Sequence, residues 1–300
     1  MAKIHSQRLL DLGLDVPLVI GKSPQAPSFA QSIGAKLENH LKVGNVADIS
    51  GFVIASGTDV HYQQLSQLIS LGRPIFCEKP ICTDKTQAKE ILEMQKSYET
   101  HVMVGYHRRF DPKFMALKEE LAGKEILCIN IINYDPLPPA ALAAKHEAST
   151  QFDTSIGSIF VDFTIHDFDM LRYLTGEEYS ISNVFNQQIP ETGEEESMVI
   201  LQSNLSSHRA VIQNSRNCGY AQDQRVSVVT SKKEYHLENA FPLPEDFISR
   251  YQKAYDDQMR SFLELLQGEK IDNNTRPTLK DGVASLNLAL QCDELTAKKQ

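Results

Sequence analysis

Cys77-Glu78-Lys79-Pro80 places a lysine between a carboxylate and a proline. Proline biases the residue before it toward extended backbone, and an ammonium is a compact charge that can be aimed at a ligand hydroxyl, with Glu78 close enough to influence it. A second group lies in GSIFVDFTIHDFDMLRYLTGE at 157–177, where Asp162, His166 and Asp169 follow one another at spacings of four and three. On a helix those spacings put all three on one side, while Phe163, Leu171 and Leu174 serve packing. A carboxylate one turn from an imidazole fixes its tautomer and raises its basicity, which is what a general base requires. Plainer accounts stand beside these: a surface lysine at a turn, and a capping aspartate beside a hydrogen-bonded core histidine. Zinc is poorly served, because no third ligand of standard spacing is near. The five cysteines form no CxxC pair, which argues against a disulfide framework as well.

These residues need elements to hold them. The chain opens with an amphipathic helix, in which Met1, Ala2, His5, Leu9 and Leu12 share a stripe about 100° wide. Gly13 suits a position of positive φ just past its end, and Val16 to Ile20 read as a short buried strand. From 51 to 107 strand and helix alternate (GFVIAS, HYQQLSQLISLG, PIFCEKP, TDKTQAKEILEMQKSYET, HVMVGY), which predicts parallel strands joined by helical crossovers in a doubly wound sheet. Ligands of such sheets lie beyond the carboxyl ends of the strands, the side that carries Ser56, Gly57, Glu78, Lys79, Tyr106 and His107. Past 108 the pattern changes. Asp111 is a fitting N-cap with Pro112 at the first helical position, and ILCINIINY is a long strand. A long connection at 135–157 has the character of a functional lid. A helix near 158–174 and strand-like runs near 180–189, 197–203, 208–215, 224–230 and 233–238 follow, predicting an antiparallel sheet, and two helices close the chain.

With 300 residues, 41% hydrophobic and 23% charged, the composition is that of a globular protein of two ordinary domains. A net charge of −9 offers no general positive field for nucleic acid or anionic lipid, so small-molecule partners are expected. No apolar run reaches the roughly 20 residues of a membrane span, and the first positions lack a signal-peptide core. The expectation is a cytoplasmic protein with reduced thiols.

Taken together, CEKP, VGYHRRFDPKFMALKEEL, GSIFVDFTIHDFDMLRYLTGE, the DQRV at 223–226 and RYQKAYDDQMRSFLELLQG at 250–268 resemble the Gfo/Idh/MocA oxidoreductases, in particular their inositol 2-dehydrogenase branch. The resemblance implies an N-terminal Rossmann dinucleotide-binding domain (1–107) and a C-terminal α/β domain with a mostly antiparallel open sheet (108–300), the last helix packing back on the first domain. It also implies a homo-oligomer, commonly a tetramer, that oxidises a secondary hydroxyl of a cyclitol or sugar with NAD or NADP. Lys79 would contact the reacting hydroxyl and the nicotinamide ribose, Asp162 would bind substrate and His166 would accept the proton. His61 matches a histidine near the cofactor, Arg108 would help bind cofactor at the domain junction or else form a structural salt bridge, and Tyr220 would touch substrate.

The sequence departs from the family pattern in four places. MAKIHSQRL matches the part of the G-x-G-x-x-G/A fingerprint just after G-x-G-x, with Ala2 in the place of the third glycine, so the expectation is a Rossmann sheet lacking its first strand, through an incomplete N-terminus or a real variant. At the end of the second strand, Lys22 and Ser23 replace the acidic residue that favours NAD and could receive a 2′-phosphate, or form only a polar turn. Gln222 replaces a second tyrosine in GYAQDQR, and Gly57 replaces a proline. Alternatives left open are a dehydrogenase of another sugar, a non-catalytic nucleotide- or sugar-binding member, and a nicotinamide-dependent glycosidase.

Overall fold

The computed structural model describes residues 1–136, 157–189, 195–218, 222–241, 245–269 and 275–298. The chain divides into two compact units, one built from Met1–Phe110 with Lys253–Val283, the other from Asp111–Gln252 with Ala284–Gln300.

In the first unit, helix α1 (Ala2–Asp11) buries His5, Ser6 and Leu9. The buried stripe differs from the expected one: Met1 is 45% exposed at the N-cap, and Ser6 is inside, its hydroxyl bonded back to the Lys3 carbonyl so that it enters without a lost partner. Gly13 has φ +79°, as its place past the helix requires. Strand β1 (Leu18–Ile20), helix α2 (Ala26–Ser32) and strand β2 (Lys36–Glu38) form a parallel pair with its crossover. Strands β3 (Phe52–Ile54), β4 (Ile75–Cys77) and β5 (Val102–Val104) form a separate parallel sheet in that order. Helices α3 (Thr58–Ile69) and α4 (Lys85–Tyr98) make its crossovers.

The registers Ile54↔Cys77↔Val104 end these three strands level, so the residues after them emerge along one edge. Leu65, Ile69, Ile75, Phe76, Ile91 and Val104 form the core under that edge. The second part of the unit adds Phe262, whose ring meets Phe76 edge-on at 6.0 Å, and Pro277, whose carbonyl accepts the Val104 N–H.

The second unit begins with α5 (Pro112–Leu121), whose Asp111 cap accepts the Lys113 N–H at 2.9 Å. Strand β6 (Ile126–Pro136) follows, then a π-turn (Phe160–Thr164) running into α6 (Ile165–Thr175). Strands β7 (Tyr179–Gln188), β8 (Glu195–Ser203), β9 (Arg209–Cys218), β10 (Gln222–Thr230) and β11 (Glu234–Phe241) complete a six-stranded sheet of order β11-β10-β6-β9-β8-β7. All its pairs are antiparallel except β6–β9. Helices α7 (Glu245–Leu266) and α8 (Leu279–Ala297) each pass from one unit to the other.

Because side chains alternate along strands, the register sorts one face of this sheet into rows. The first row, Leu237–Val226–Ile131–Ile212–Val199–Val184, is apolar and buried in every strand. One step on, the row is Asn239–Gln224–Asn133–Asn214–Ser197–Asn186, polar throughout. Five of its six members are buried, which demands partners. Beyond it on the same face come Arg216 of β9 and Glu195 of β8. The π-turn and the start of α6 take their bonds from these polar rows.

Candidate active site

At the edge where β3, β4 and β5 end, Ser56 and Gly57 follow β3, Glu78 and Lys79 follow β4, and Gly105 to His107 follow β5. Glu78 is buried, and its Oε1 lies 2.6 Å from Nε2 of His5 on α1. A Cβ on Gly105 would stand 2.8 Å from Glu78 Oε2 and 3.2 Å from its Cα, so a larger residue there would push Glu78 aside. His107, also buried, stacks on Tyr255 with ring centroids 4.8 Å apart, and Tyr255 further meets His5 edge-on and Arg8 through its face. Burial holds the His107 imidazole well below its ordinary pKa, helped by the positive charges of Arg108 and Lys79. Lys79 therefore sits beside a neutral ring. Its bond to Pro80 is cis.

His61 is buried on α3, with Nδ1 2.7 Å from the Pro80 carbonyl and Nε2 3.1 Å from the Ser56 carbonyl. It ties the loop after β3 to the loop after β4. Ser56 and Gly57 are exposed, and the Ser56 hydroxyl donates to Gln64 Oε1 at 2.7 Å. Lys22 and Ser23 are exposed at the carboxyl end of β1. Arg108 is buried in the single turn His107–Phe110, next to Arg109, which pairs with Asp281 at 3.2 Å.

A dinucleotide needs strand ends, unblocked helix N-termini and a close backbone approach. Asp84 caps α4 through the N–H groups of Thr86 and Gln87, whereas no side chain caps α1 or α3. The residues present fit such a group: Ala2 begins α1, Gly57 precedes α3, and Lys79 stands at the same edge as Gly57.

The second unit supplies the other candidates. Asp162 lies in the π-turn with its side chain 27% exposed, and its Oδ2 accepts from Arg216 at 2.6 Å. His166 is nearly buried in the first turn of α6, with Nδ1 inward, and Asp169 is fully buried. The helix expected to align 162, 166 and 169 is thus not uniform, since a wider turn separates Asp162 from His166. The turn is anchored at its start, where Glu195 Oε2 accepts the Ile159 N–H at 2.9 Å and the Ser158 hydroxyl donates to Asp293. Burial raises the Asp293 carboxyl above its ordinary pKa against that hydrogen bond.

Sequence reasoning missed the residue beside His166. Asp167 is fully buried, and its carboxylate accepts from Asn214 Nδ2 at 2.7 Å and from Asn133 Nδ2 at 3.3 Å. Asn133 and Asn214 are register partners on β6 and β9. The detectable signal was an amide, Asn133, in step with the buried Ile129 and Ile131 of β6. Asp223 and Gln224 of the DQRV segment lie on β10, where Gln224 Oε1 accepts from the Tyr251 hydroxyl at 2.9 Å. Tyr220 and most of the long connection at 135–157 lie outside the described residues.

Residues 10–106 match the family described as "Oxidoreductase family, NAD-binding Rossmann fold", and residues 122–236 match "GFO/IDH/MocA C-terminal domain". The inositol 2-dehydrogenase of Rhizobium meliloti (strain 1021) is 31% identical over 299 residues, spanning 92% of this chain and 87% of the relative. The crystal structure of a myo-inositol dehydrogenase from Corynebacterium glutamicum superposes with a TM-score of 0.77 at 27% identity, covering 99% of this chain and 94% of that one. A myo-inositol dehydrogenase from Lactobacillus casei, solved in complex with NAD(H) and myo-inositol, shares the fold with a TM-score of 0.83 at 18% identity, covering 100% of this chain and 92% of that one. With level strand ends on one unit, a sheet-anchored Asp162 and His166 on the other, and this similarity along nearly its whole length, the chain belongs to the Gfo/Idh/MocA oxidoreductase family.

Proposed function

We propose that this chain is an NAD(P)-dependent dehydrogenase that oxidises a ring hydroxyl of myo-inositol or a related cyclitol to the ketone. The observation that carries the reading is the His166–Asp162 arrangement on the second unit in a chain 31% identical to an inositol 2-dehydrogenase. The nicotinamide, when bound, supplies the hydride acceptor. Lys79 donates to the reacting hydroxyl and to the ribose, fixing the carbinol carbon in place. Asp162 accepts from a neighbouring ring hydroxyl and so selects the face presented. His166 takes the hydroxyl proton as the general base of the reaction. Asp169, buried one turn on, supports the helix from within.

The cofactor residues in this reading are Ala2, Lys22, Ser23, Ser56, Gly57, His61, Glu78, Lys79 and Arg108. His61 and Glu78 act by holding loops, since their polar atoms already face protein groups. Lys22 and Ser23 leave the 2′-position open to hydroxyl or phosphate, so NAD and NADP are both assayed. Tyr220 is assigned to substrate. Domains of 1–107 and 108–300 are assigned to cofactor and to substrate with assembly. The protein is a cytoplasmic homo-oligomer in this reading, a tetramer by family likeness. Five free thiols support a reducing compartment, and the sheet's outward row of Ile132, Gln213, Met198 and Phe185 leaves apolar surface for a second copy. A related sugar as substrate is the second reading, favoured by Gln222 where the inositol pattern has tyrosine.

His166→Ala lowers turnover of myo-inositol by about a thousandfold and leaves NAD affinity by calorimetry unchanged, in line with the usual contribution of a general base. Turnover equal to the parent protein's would refute the assignment.

A further inference from the structure

Asp162 and Asp167 are five residues apart and both bond to β9, Asp162 to Arg216 and Asp167 to Asn214. Arg216 and Asn214 are two residues apart, hence on the same face of their strand. In an uninterrupted α-helix residues five apart point about 140° away from one another, so the two carboxylates could not both meet one strand. The π-turn over Phe160–Thr164 removes the conflict, because an i→i+5 turn adds one residue to the circuit, and the Thr164 hydroxyl bonds back five residues to the Ile159 carbonyl. The advance also fits: two strand residues cover about 7 Å and five helical residues about 7.5 Å.

Asn133 adds a third point from β6, and its register with Asn214 sets two carboxamides side by side beneath one carboxylate. A carboxylate only accepts, so it turns both amide nitrogens toward itself and fixes both side chains. Glu195 pins the other end through the Ile159 N–H. His166 lies between the two clamped carboxylates, one residue before Asp167 and four after Asp162.

We infer that Arg216 and Asn214, with Asn133, are positioning residues that clamp the π-turn in register on the sheet and thereby set where Asp162 and His166 point. The clamp itself is read from contacts within one unit, while its catalytic consequence rests on the function proposed above. Charge-assisted hydrogen bonds such as these, buried at Asp167 and part-buried at Asp162, hold a side chain more firmly than neutral ones, and misplacing a reacting group by about 1 Å can cost about a hundredfold in rate.

The test measures amide hydrogen exchange of the 157–166 backbone in the full chain, together with steady-state oxidation of myo-inositol, for the parent, Arg216→Gln, Arg216→Lys and Asn214→Ala. Losing a hydrogen bond to a charged partner is expected to speed exchange in 157–166 by about tenfold, with β10 and β11 unchanged. The same variants lower kcat by about tenfold to a hundredfold and leave the KM for NAD alone, and Arg216→Lys recovers part of both effects. Exchange at the parent rate in folded Arg216→Gln, faster exchange without a fall in kcat, or a lysine variant no better than glutamine would each overturn the inference. If Asn214→Ala does not fold, the half-exposed Arg216 pair decides alone. If the parent itself oxidises no cyclitol, the proposed function fails and the exchange data still decide the clamp.

Discussion

At the residue scale, each unit holds its candidate residues with buried polar groups of a different kind. In the first unit rings dominate: His107, near enough to Lys79 to feel its charge, is kept neutral by burial, Tyr255 stacks on it, and His5 pairs with Glu78. A histidine whose folded pKa is depressed takes up its proton more readily when unfolded. Its stabilising effect is therefore complete above the unfolded value of about 6.5 and is lost as pH falls below it toward the folded pKa. His107→Gln should accordingly flatten the loss of thermal stability between about pH 6.5 and pH 5, measured by calorimetry across that window. Gly105→Ala should act differently, pressing Glu78 away from His5 and slowing cyclitol oxidation, and reversion of the rate by a compensating Glu78→Asp would locate the clash. Lys79, Asp162 and His166 were legible because charge, spacing and context coincide in short stretches. Asp167 was not, since its meaning depends on Asn133 and Asn214, which are 34 residues before it and 47 after.

At the element scale, the six-stranded sheet is both core and scaffold. Its apolar row crosses all six strands, so Ile212→Ala, at the centre of that row, should cost about 2–5 kcal/mol by denaturant titration without altering the bonds to Asp167 and Asp162. The neighbouring polar row explains why an inward-facing amide is tolerated there: a helix carboxylate arrives to meet it. Alternation of strand and helix from 51 to 107 was readable because the strands are wholly apolar, the helices span three or more turns, and glycine punctuates them, as Gly72 at φ +66° shows. Strand β2 and helix α2 escaped, because β2 reads Lys-Leu-Glu with a charge at either end and α2 is only seven residues long. The π-turn also escaped, since period-3.6 reasoning has no place for a fifth residue in the circuit, and that turn decides which side chains face β9.

At the scale of the whole molecule, neither compact unit is a continuous stretch of chain, and α7 and α8 belong in part to each. The order of motifs pointed to two domains with the last helix returning to the first, and the stretch the first unit takes in is 253–283, most of α7 and the start of α8, a long-range event whose extent no local pattern encodes. Among the described residues no helix is long and apolar enough to cross a membrane, and no group of three or more His, Cys, Asp or Glu could hold a metal ion. A cyclitol dehydrogenase of this family should form a homo-oligomer, so light scattering after size-exclusion chromatography should give a mass at least twice the chain's 33.7 kDa, and Phe185→Glu on the outward sheet face should lower it. The most direct measurement of the central claim supplies the full chain with NAD or NADP and with myo-inositol deuterated at every ring carbon, and weighs the reduced nucleotide by mass spectrometry. Reduced nicotinamide carrying one deuterium from the ring is the predicted result. No reduction, or reduced nucleotide without deuterium, would contradict hydride transfer from a cyclitol by this protein.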